Sequence, residues 1–482
     1  MTKFRRILQA VVVLSAVYLL TIFIFVSKTF WAIYSSAQIY EQLDKSGYSK
    51  EWKAEYLELL PILDDVIMDS SSILLAPVRS YFLNNSEFKS LIEAYEIVGP
   101  ALPTLPELLG LDRSRNYLIA FQNSAEARGT GGIIGAYAVA ELNGGLKIRE
   151  VGTNSLLQSL DEVPIKLPDE FSSLYRSDPA IWQNSNMSPH FPYGAKIWLA
   201  LWEKQFQEDL DGVITLDPIV LKSILEITGP ISVQGKQINS ENVVEETLSE
   251  LYLEFETNNV GRKQYLVEII EKTFLAIKNY EFAWSKQIVK LTKPLIENRV
   301  LAFSASKDIQ KILRQAQFSG VMKKNDNNEY RLIVQNTAGN KMDYYLEREF
   351  FISSRSCKNE KISEVSLTLT NTASSDSYLP AYVKGRLDLD LPEGKQNSTA
   401  ITALIYGPSN SKLISAIDPV TGKSIGYQKM ERERPVLVIP LELNAGEKRT
   451  FIADFKGGIG GITTQEQPLV KPQYTKIEDK CK

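Results

Sequence analysis

The chain has 482 residues, 44% hydrophobic and 23% charged, with a formal net charge of −4. That length holds two or three domains with sizeable cores, and the balance excludes wholesale disorder. No basic stripe with interleaved aromatics marks a nucleic-acid binder. A single histidine, His190, excludes zinc sites that need two or three imidazoles, and Cys357 and Cys481 stand too far apart for a CxxC site.

Lys3, Arg5 and Arg6 precede an apolar run without charge, Ile7 to Val26. About twenty such residues span a bilayer as one helix, and the basic cluster belongs on the cytoplasmic side. The run is longer than a signal-peptide core and no A-x-A site follows it. Residues 1–34 therefore read as a basic end and an uncleaved anchor in a bacterial cytoplasmic membrane, with Trp31 and Tyr34 at the interface and the bulk of the chain extracytoplasmic. In that oxidising compartment Cys357 and Cys481 form a disulfide pinning the C-terminal tail, or stay two thiols; both readings stand.

Residues 35–110 read as a helical stalk or collar, with apolar residues from Tyr56 to Ile67 at near-helical spacing and prolines 61, 77, 100, 103 and 106 cutting it into pieces. Residues 111–320 read as an α/β core with C-terminal helices. It opens on an apolar strand, Tyr117 to Phe121, then a polar connection bearing Glu126, Arg128, Thr130, Gly131 and Gly132, then a second apolar strand from Ile133 to Ala140. Paired glycines let successive N–H groups aim at one spot, and an arginine beside them adds a fork of donors. Such a loop holds an anion, or is a tight turn with a charge on it. The polar stretch Ser159 to Met187 is too long for a simple connector and marks a functional edge. His190 reads as a loop residue before a helix from Gly194 to Phe206.

Asp211 to Asp217 reads as a strand, Pro218 opens a helix, and Thr228-Gly229-Pro230 ends it with Gly229 in the left-handed cap position. Asp209, Asp211, Asp217 and Glu126 are candidate oxygen donors for a Mg²⁺ ion; a turn at Asp211-Gly212 and a helix cap at Asp217-Pro218 are the favoured readings of two of them. Residues 239–318 read as helical, Ser240 capping the first helix, with Arg262 just behind a glycine at a helix start. From Tyr330 the pattern alternates with period two in Val365–Thr370, Arg386–Leu391 and Thr402–Tyr406, so residues 321–456 read as an immunoglobulin-like β-sandwich and 457–482 as a flexible tail. The fold class is α+β.

The stretches Tyr117–Gly135, Asp211–Pro218 with Thr228–Pro230, and Asn336–Tyr345 resemble, in this order, the bacterial membrane-anchored family of domain of unknown function 4012. Asp211 to Val233, followed by Asn259-Val-Gly-Arg-Lys-Gln264, is more distantly similar to the LytR-CpsA-Psr family of envelope phosphotransferases. That likeness implies an outward-facing protein that binds a polyprenyl-pyrophosphate-linked glycan and transfers it to peptidoglycan, with Arg262 and Mg²⁺ at the pyrophosphate. Arg128, joined by Thr130, Gly131 and Gly132, is placed in the same site as a second catalytic arginine. The family's second arginine is absent, Tyr265 standing near its position, and Tyr252-Leu-Glu-Phe255 stands where the family has an arginine pair. The alternative is a non-enzymatic surface scaffold or adhesion protein that acts through its sandwich.

Overall fold

The computed structural model describes residues 104–280, 293–295, 297–316, 318–356 and 361–480. The anchor at 7–26, most of the stalk, and both Cys357 and Cys481 lie outside the described residues, among which no helix is long and apolar enough to cross a membrane. The chain divides into two compact units. The described part of the smaller includes a short helix, Leu105–Leu108, the segment after it, where Arg115 donates to Asp112 at 2.6 Å, and residues 141–147.

The larger unit, residues 116–140, 148–279 and 294–482, is a mixed α+β fold with several sheets. Its first sheet is built from β1 (Arg115–Arg128), β2 (Gly131–Leu142), β3 (Leu146–Thr153), β4 (Gly212–Leu216) and β7 (Leu301–Ser304), in the order β3-β2-β1-β4-β7. β4 lies parallel to β1 and antiparallel to β7. Between β3 and β4 run α1 (Asp169–Tyr175) and α2 (Phe191–Phe206), and β4 feeds directly into α3 (Pro218–Thr228). The small hairpin β5 (Ile231–Val233) and β6 (Lys236–Ile238) precedes a π-helical turn, Glu246–Glu250, and then α4 (Asn259–Lys278); α5 (Lys307–Gln315) follows β7.

The C-terminal half holds two five-stranded sheets. One joins β8 (Glu329–Asn336), β11 (Thr399–Tyr406), β13 (Tyr427–Glu431), β14 (Arg434–Leu443) and β16 (Thr463–Thr464); the other joins β9 (Leu346–Ser356), β10 (Ile362–Asn371), β12 (Lys412–Ile417), β15 (Lys448–Lys456) and β17 (Tyr474–Glu478). Side chains alternate across a strand, and here both faces of the first of these sheets are apolar. Leu332, Val334, Ala403, Ile405, Leu437 and Ile439 meet Phe350, Leu367 and Phe451 of the other sheet. The intervening Ile333, Leu404, Tyr406, Val436 and Val438 join the core of α2, with Trp198, Leu201 and Trp202. That sheet is therefore a middle layer, with the α2 core on one face and the second sheet on the other.

Four expectations change. β1 runs on through Arg128, so the polar stretch after Phe121 is strand and not loop. Arg386–Leu391 is a 3₁₀ turn at Leu387–Leu389 and not a strand, because Arg386 turns back on Asp388 at 2.7 Å. Gly229 caps α3 at φ 86° and ψ 179°, a region open to glycine but outside the left-handed helical one. Past residue 456 the chain is bound into the fold. β16 and β17 pair parallel with β8 and β9, and buried Gln467 exchanges hydrogen bonds with the Val334 backbone at 2.8 and 2.9 Å.

Candidate functional site

Gln122, Ser124, Glu126 and Arg128 recur at every second position of β1, and all four are buried. Burying such a row is costly unless it is bonded, as Gln122, Glu126 and Arg128 are. Arg128 sends Nε and Nη2 to Asn184 Oδ1 at 3.0 and 2.8 Å, and Nη1 to the carbonyls of Ala127 and Asn336 at 2.8 and 3.1 Å. Its remaining N–H faces Glu126 at 3.6 Å. Burial lowers its pKa against the pull of Glu126, Asp343 and Asp178. Four of the five donors of the fork thus have internal acceptors, and the fifth faces a carboxylate. Thr130 Oγ1 accepts from Gln122 and Asn186 at 3.2 and 2.8 Å, while the Gly132 N–H goes to Gln122 Oε1 at 3.2 Å. A Cβ on Gly132 would stand 1.9 Å from the Asn123 carbonyl oxygen. Gly131, at φ 137°, needs glycine's freedom. Arg128, Thr130, Gly131 and Gly132 therefore build a closed turn in place of the expected anion loop.

The carboxylates expected to share Mg²⁺ are apart. Asp211 and Asp217 bracket β4, and six residues at roughly 3.3 Å each put about 20 Å between them, far beyond what one cation with ligands near 2 Å can bridge. Asp211 Oδ2 accepts the Asn116 N–H at 2.8 Å, fixing the register of β4 on β1. Asp217 caps α3 through the N–H groups of Ile219 and Val220, both at 3.0 Å, and pairs with Arg299 at 2.6 Å. Glu126 pairs with Lys341. Among the described residues no group of three or more His, Cys, Asp or Glu is placed to hold a metal ion. The residues present do not fit a resident Mg²⁺.

Arg262, at the first turn of α4, lies buried against the rings of Tyr252 and Tyr382, its guanidinium carbon 4.6 and 4.8 Å from their centroids. It donates to Asn259 Oδ1 at 2.6 Å, and Asn258 caps the helix through the Gly261 N–H at 2.9 Å. Lys341 Nζ stands 5.4 Å from the same Tyr382 ring. Burial alone would lower the Lys341 pKa, but Glu126 and the hydroxyls of Tyr252 and Tyr382 lift it above the ordinary range. Lys263, half-buried, donates to Asn154 Oδ1 at 3.3 Å. Its pKa is lowered by burial and by the charges of Arg262 and Lys341, against Tyr382. Among the described residues no carboxylate lies within ion-pair distance of Lys263. The two arginines singled out in the sequence do not share a pocket wall directly but are linked through a chain of contacts, Arg128 to Glu126 to Lys341 to Tyr382 to Arg262.

Lys263, Lys341 and the two tyrosines escaped the sequence reading. Lys341 lies in the Asn336–Tyr345 stretch, and Tyr252 in the Tyr252-Leu-Glu-Phe255 stretch, both of which the comparison of the sequence with known families singles out. Both signals were present without a reason to join them.

Behind Glu126 sits Asp343, buried, its Oδ2 accepting from the Ala127 N–H at 2.8 Å and Asn336 Nδ2 at 3.0 Å. Burial outweighs those bonds and pushes its pKa up to about 6. His190 is buried at the start of α2, where its Nδ1 accepts the Met322 N–H at 3.1 Å. Its pKa falls well below the usual value through burial, then through Arg432, Arg314, Lys196 and Arg331. The unfolded chain takes up a proton below about pH 6.5 that the folded imidazole refuses, so this residue makes stability fall as pH drops, by up to about 1.4 kcal/mol per pH unit. As the chain has one histidine, His190→Asn should remove that slope. Urea unfolding of both proteins between pH 5 and 7 checks it; parallel profiles refute it.

Residues 112–252 match the model of a family described as a protein of unknown function, DUF4012. The family resemblance seen in the sequence is found over this stretch, from β1 to Tyr252. No curated protein matches the chain. Similar solved structures include the transcriptional regulator yvhJ from Bacillus subtilis, 12% identical over 42% of this chain and 76% of that one, with a TM-score of 0.22. Protein gbs0355 from Streptococcus agalactiae is 13% identical over 46% and 81%, with a TM-score of 0.27. The Lin1025 protein from Listeria innocua is 11% identical over 46% and 85%, with a TM-score of 0.22.

Proposed function

We propose that the protein is a single-pass, outward-facing envelope protein that binds a phosphate-linked glycopolymer, seating the phosphate on Arg262, Lys263 and Lys341. The observation that carries the reading is the placing of Arg262 and Lys341 over the Tyr382 ring, at 4.8 and 5.4 Å, with Lys263 next to Arg262 in the chain; neither Arg262 nor Lys263 makes an ion pair among the described residues. Glu126 balances one charge and leaves a net surplus of two. Positive charge held in a low-dielectric, aromatic setting attracts a di-anion more strongly than the same charge in water. Arg128 supports the strand beneath and takes no part in the seat, and Mg²⁺, where present, arrives with the pyrophosphate.

Calorimetric titration of the full chain in detergent with farnesyl pyrophosphate tests this. Micromolar binding is expected, weakened at least about tenfold by Lys263→Gln, which deletes one unpaired contact to the anion. Absence of heat from the folded wild type refutes the phosphate seat. The rival reading, a scaffold acting through its sheets, is favoured by a cleft of about 430 Å³ lined by Lys395, Ile425, Ile439, Glu442, Arg449 and Phe451. Binding confined to that cleft would make the protein an adaptor.

A further inference from the structure

Beside the cation cluster, the segment between β10 and β11 presents two tyrosines to solvent: Tyr382 is 45% exposed and Tyr378 is 66% exposed. Solvent-facing aromatic rings on an otherwise well-bonded loop need a reason. This loop is well bonded. Asn397 Nδ2 donates to the carbonyls of Ser374 and Ser377 at 2.7 and 2.9 Å, and the Lys341 N–H donates to the Val383 carbonyl at 2.8 Å. Tyr382 is backed by Tyr252, the two rings nearly parallel at 17° with centroids 5.7 Å apart, and Tyr252 is itself held by Asn123 Nδ2 at 2.7 Å. The Tyr378 hydroxyl is tied to Glu256.

We infer that Tyr382 and Tyr378 form a sugar-reading wall, on which a pyranose ring carried by the seated phosphate stacks. The inference rests on the phosphate seat proposed above and adds what the seat reads next to the phosphate. A pyranose offers one face of C–H bonds and a rim of hydroxyls. A tyrosine ring covers that face while its edge stays wet, and a ring fixed in advance loses little entropy on contact. Asn154 and Glu256, at the margins of the cluster, supply polar atoms for the rim hydroxyls. A prenyl chain fits less well, since it needs an enclosed apolar channel, and the exposed Leu253 and Val260 stand open to water.

The test titrates the full chain in detergent with inorganic phosphate, glucose 1-phosphate and farnesyl phosphate, each alone. Wild type is expected to bind glucose 1-phosphate about tenfold more tightly than inorganic phosphate. Tyr378→Leu should shrink that ratio towards one while leaving inorganic phosphate unchanged, whereas Tyr382→Leu, which also removes the ring packed on Arg262 and Lys341, should shrink the ratio and weaken inorganic phosphate as well. Lys263→Gln should weaken all three. Tyr378 makes only an exposed contact, so its variant stands even if Tyr382→Leu melts early. A wild-type ratio near one, a ratio indifferent to both variants, or a gain for farnesyl phosphate alone overturns the sugar wall and leaves the seat intact. Failure of all three probes to bind removes the seat itself, and the wall with it.

Discussion

Lys341→Met is expected to lower the free energy of unfolding by about 3–5 kcal/mol, the usual consequence of leaving one partner of a buried ion pair uncompensated. Both side chains of the Glu126–Lys341 pair are under a tenth exposed, at 8% and 7%. Removing the lysine strands the Glu126 carboxylate beside Asp343, with Arg128, at 3.6 Å, the only cation left in contact among the described residues. Glu126→Gln in the same chain should restore much of the loss, since a neutral amide needs no counter-charge. A double-mutant cycle by urea unfolding measures the coupling. If the two losses simply add, the pair is not the buried contact described here. The result also bears on function: a lysine held this firmly keeps its charge at the Tyr382 face across the physiological pH range.

The frame of the molecule was legible where local chemistry and tertiary role agree. Asp217-Pro218 marked the start of α3 because a side-chain cap and a proline at the first turn are local devices, and both are in place. The period-two runs of the C-terminal half marked β10 and β11 for the same reason. The polar half of β1 was not legible. Gln122, Glu126 and Arg128 look like loop residues until Thr130, Lys341 and Asn184, some far along the chain, are known to answer them. Arg386–Leu391 misled in the opposite sense, its alternation arising from an arginine folding onto an aspartate two residues on.

The candidate site was half visible. Arg262 stood out by its glycine and its place at a helix start. The two rings against it and the lysine on one of them come from three separate stretches, around residues 252, 382 and 341, which nothing short of the fold brings together. Arg128 stood out for the wrong reason: a glycine-rich turn with an arginine looks the same in sequence whether its donors face a ligand or the protein's own carbonyls.

Glu431→Ala should be as costly as the loss of Lys341, at about 3–5 kcal/mol, because it orphans several buried donors and leaves a void. The carboxylate, at 1% exposure, accepts from Tyr406 at 2.6 Å, Ser188 at 2.7 Å and Tyr175 at 3.0 Å. Those donors come from β11, from the turn before α2, and from α1, so one side chain ties the middle sheet to the helical layer. Burial raises its pKa even against the bonds from Tyr406, Ser188 and Tyr175. Glu431→Gln separates geometry from charge. The amide keeps one acceptor, and the hydroxyls can rotate to accept from its N–H₂, so a loss of only about 1 kcal/mol is expected. Thermal unfolding of the two variants side by side is the measurement. Equal losses would mean the charge itself holds the layers together, whereas a large loss for alanine alone assigns that role to the hydrogen-bonded shape. The second outcome fits a network whose donors are all neutral hydroxyls and whose setting disfavours a carboxylate charge.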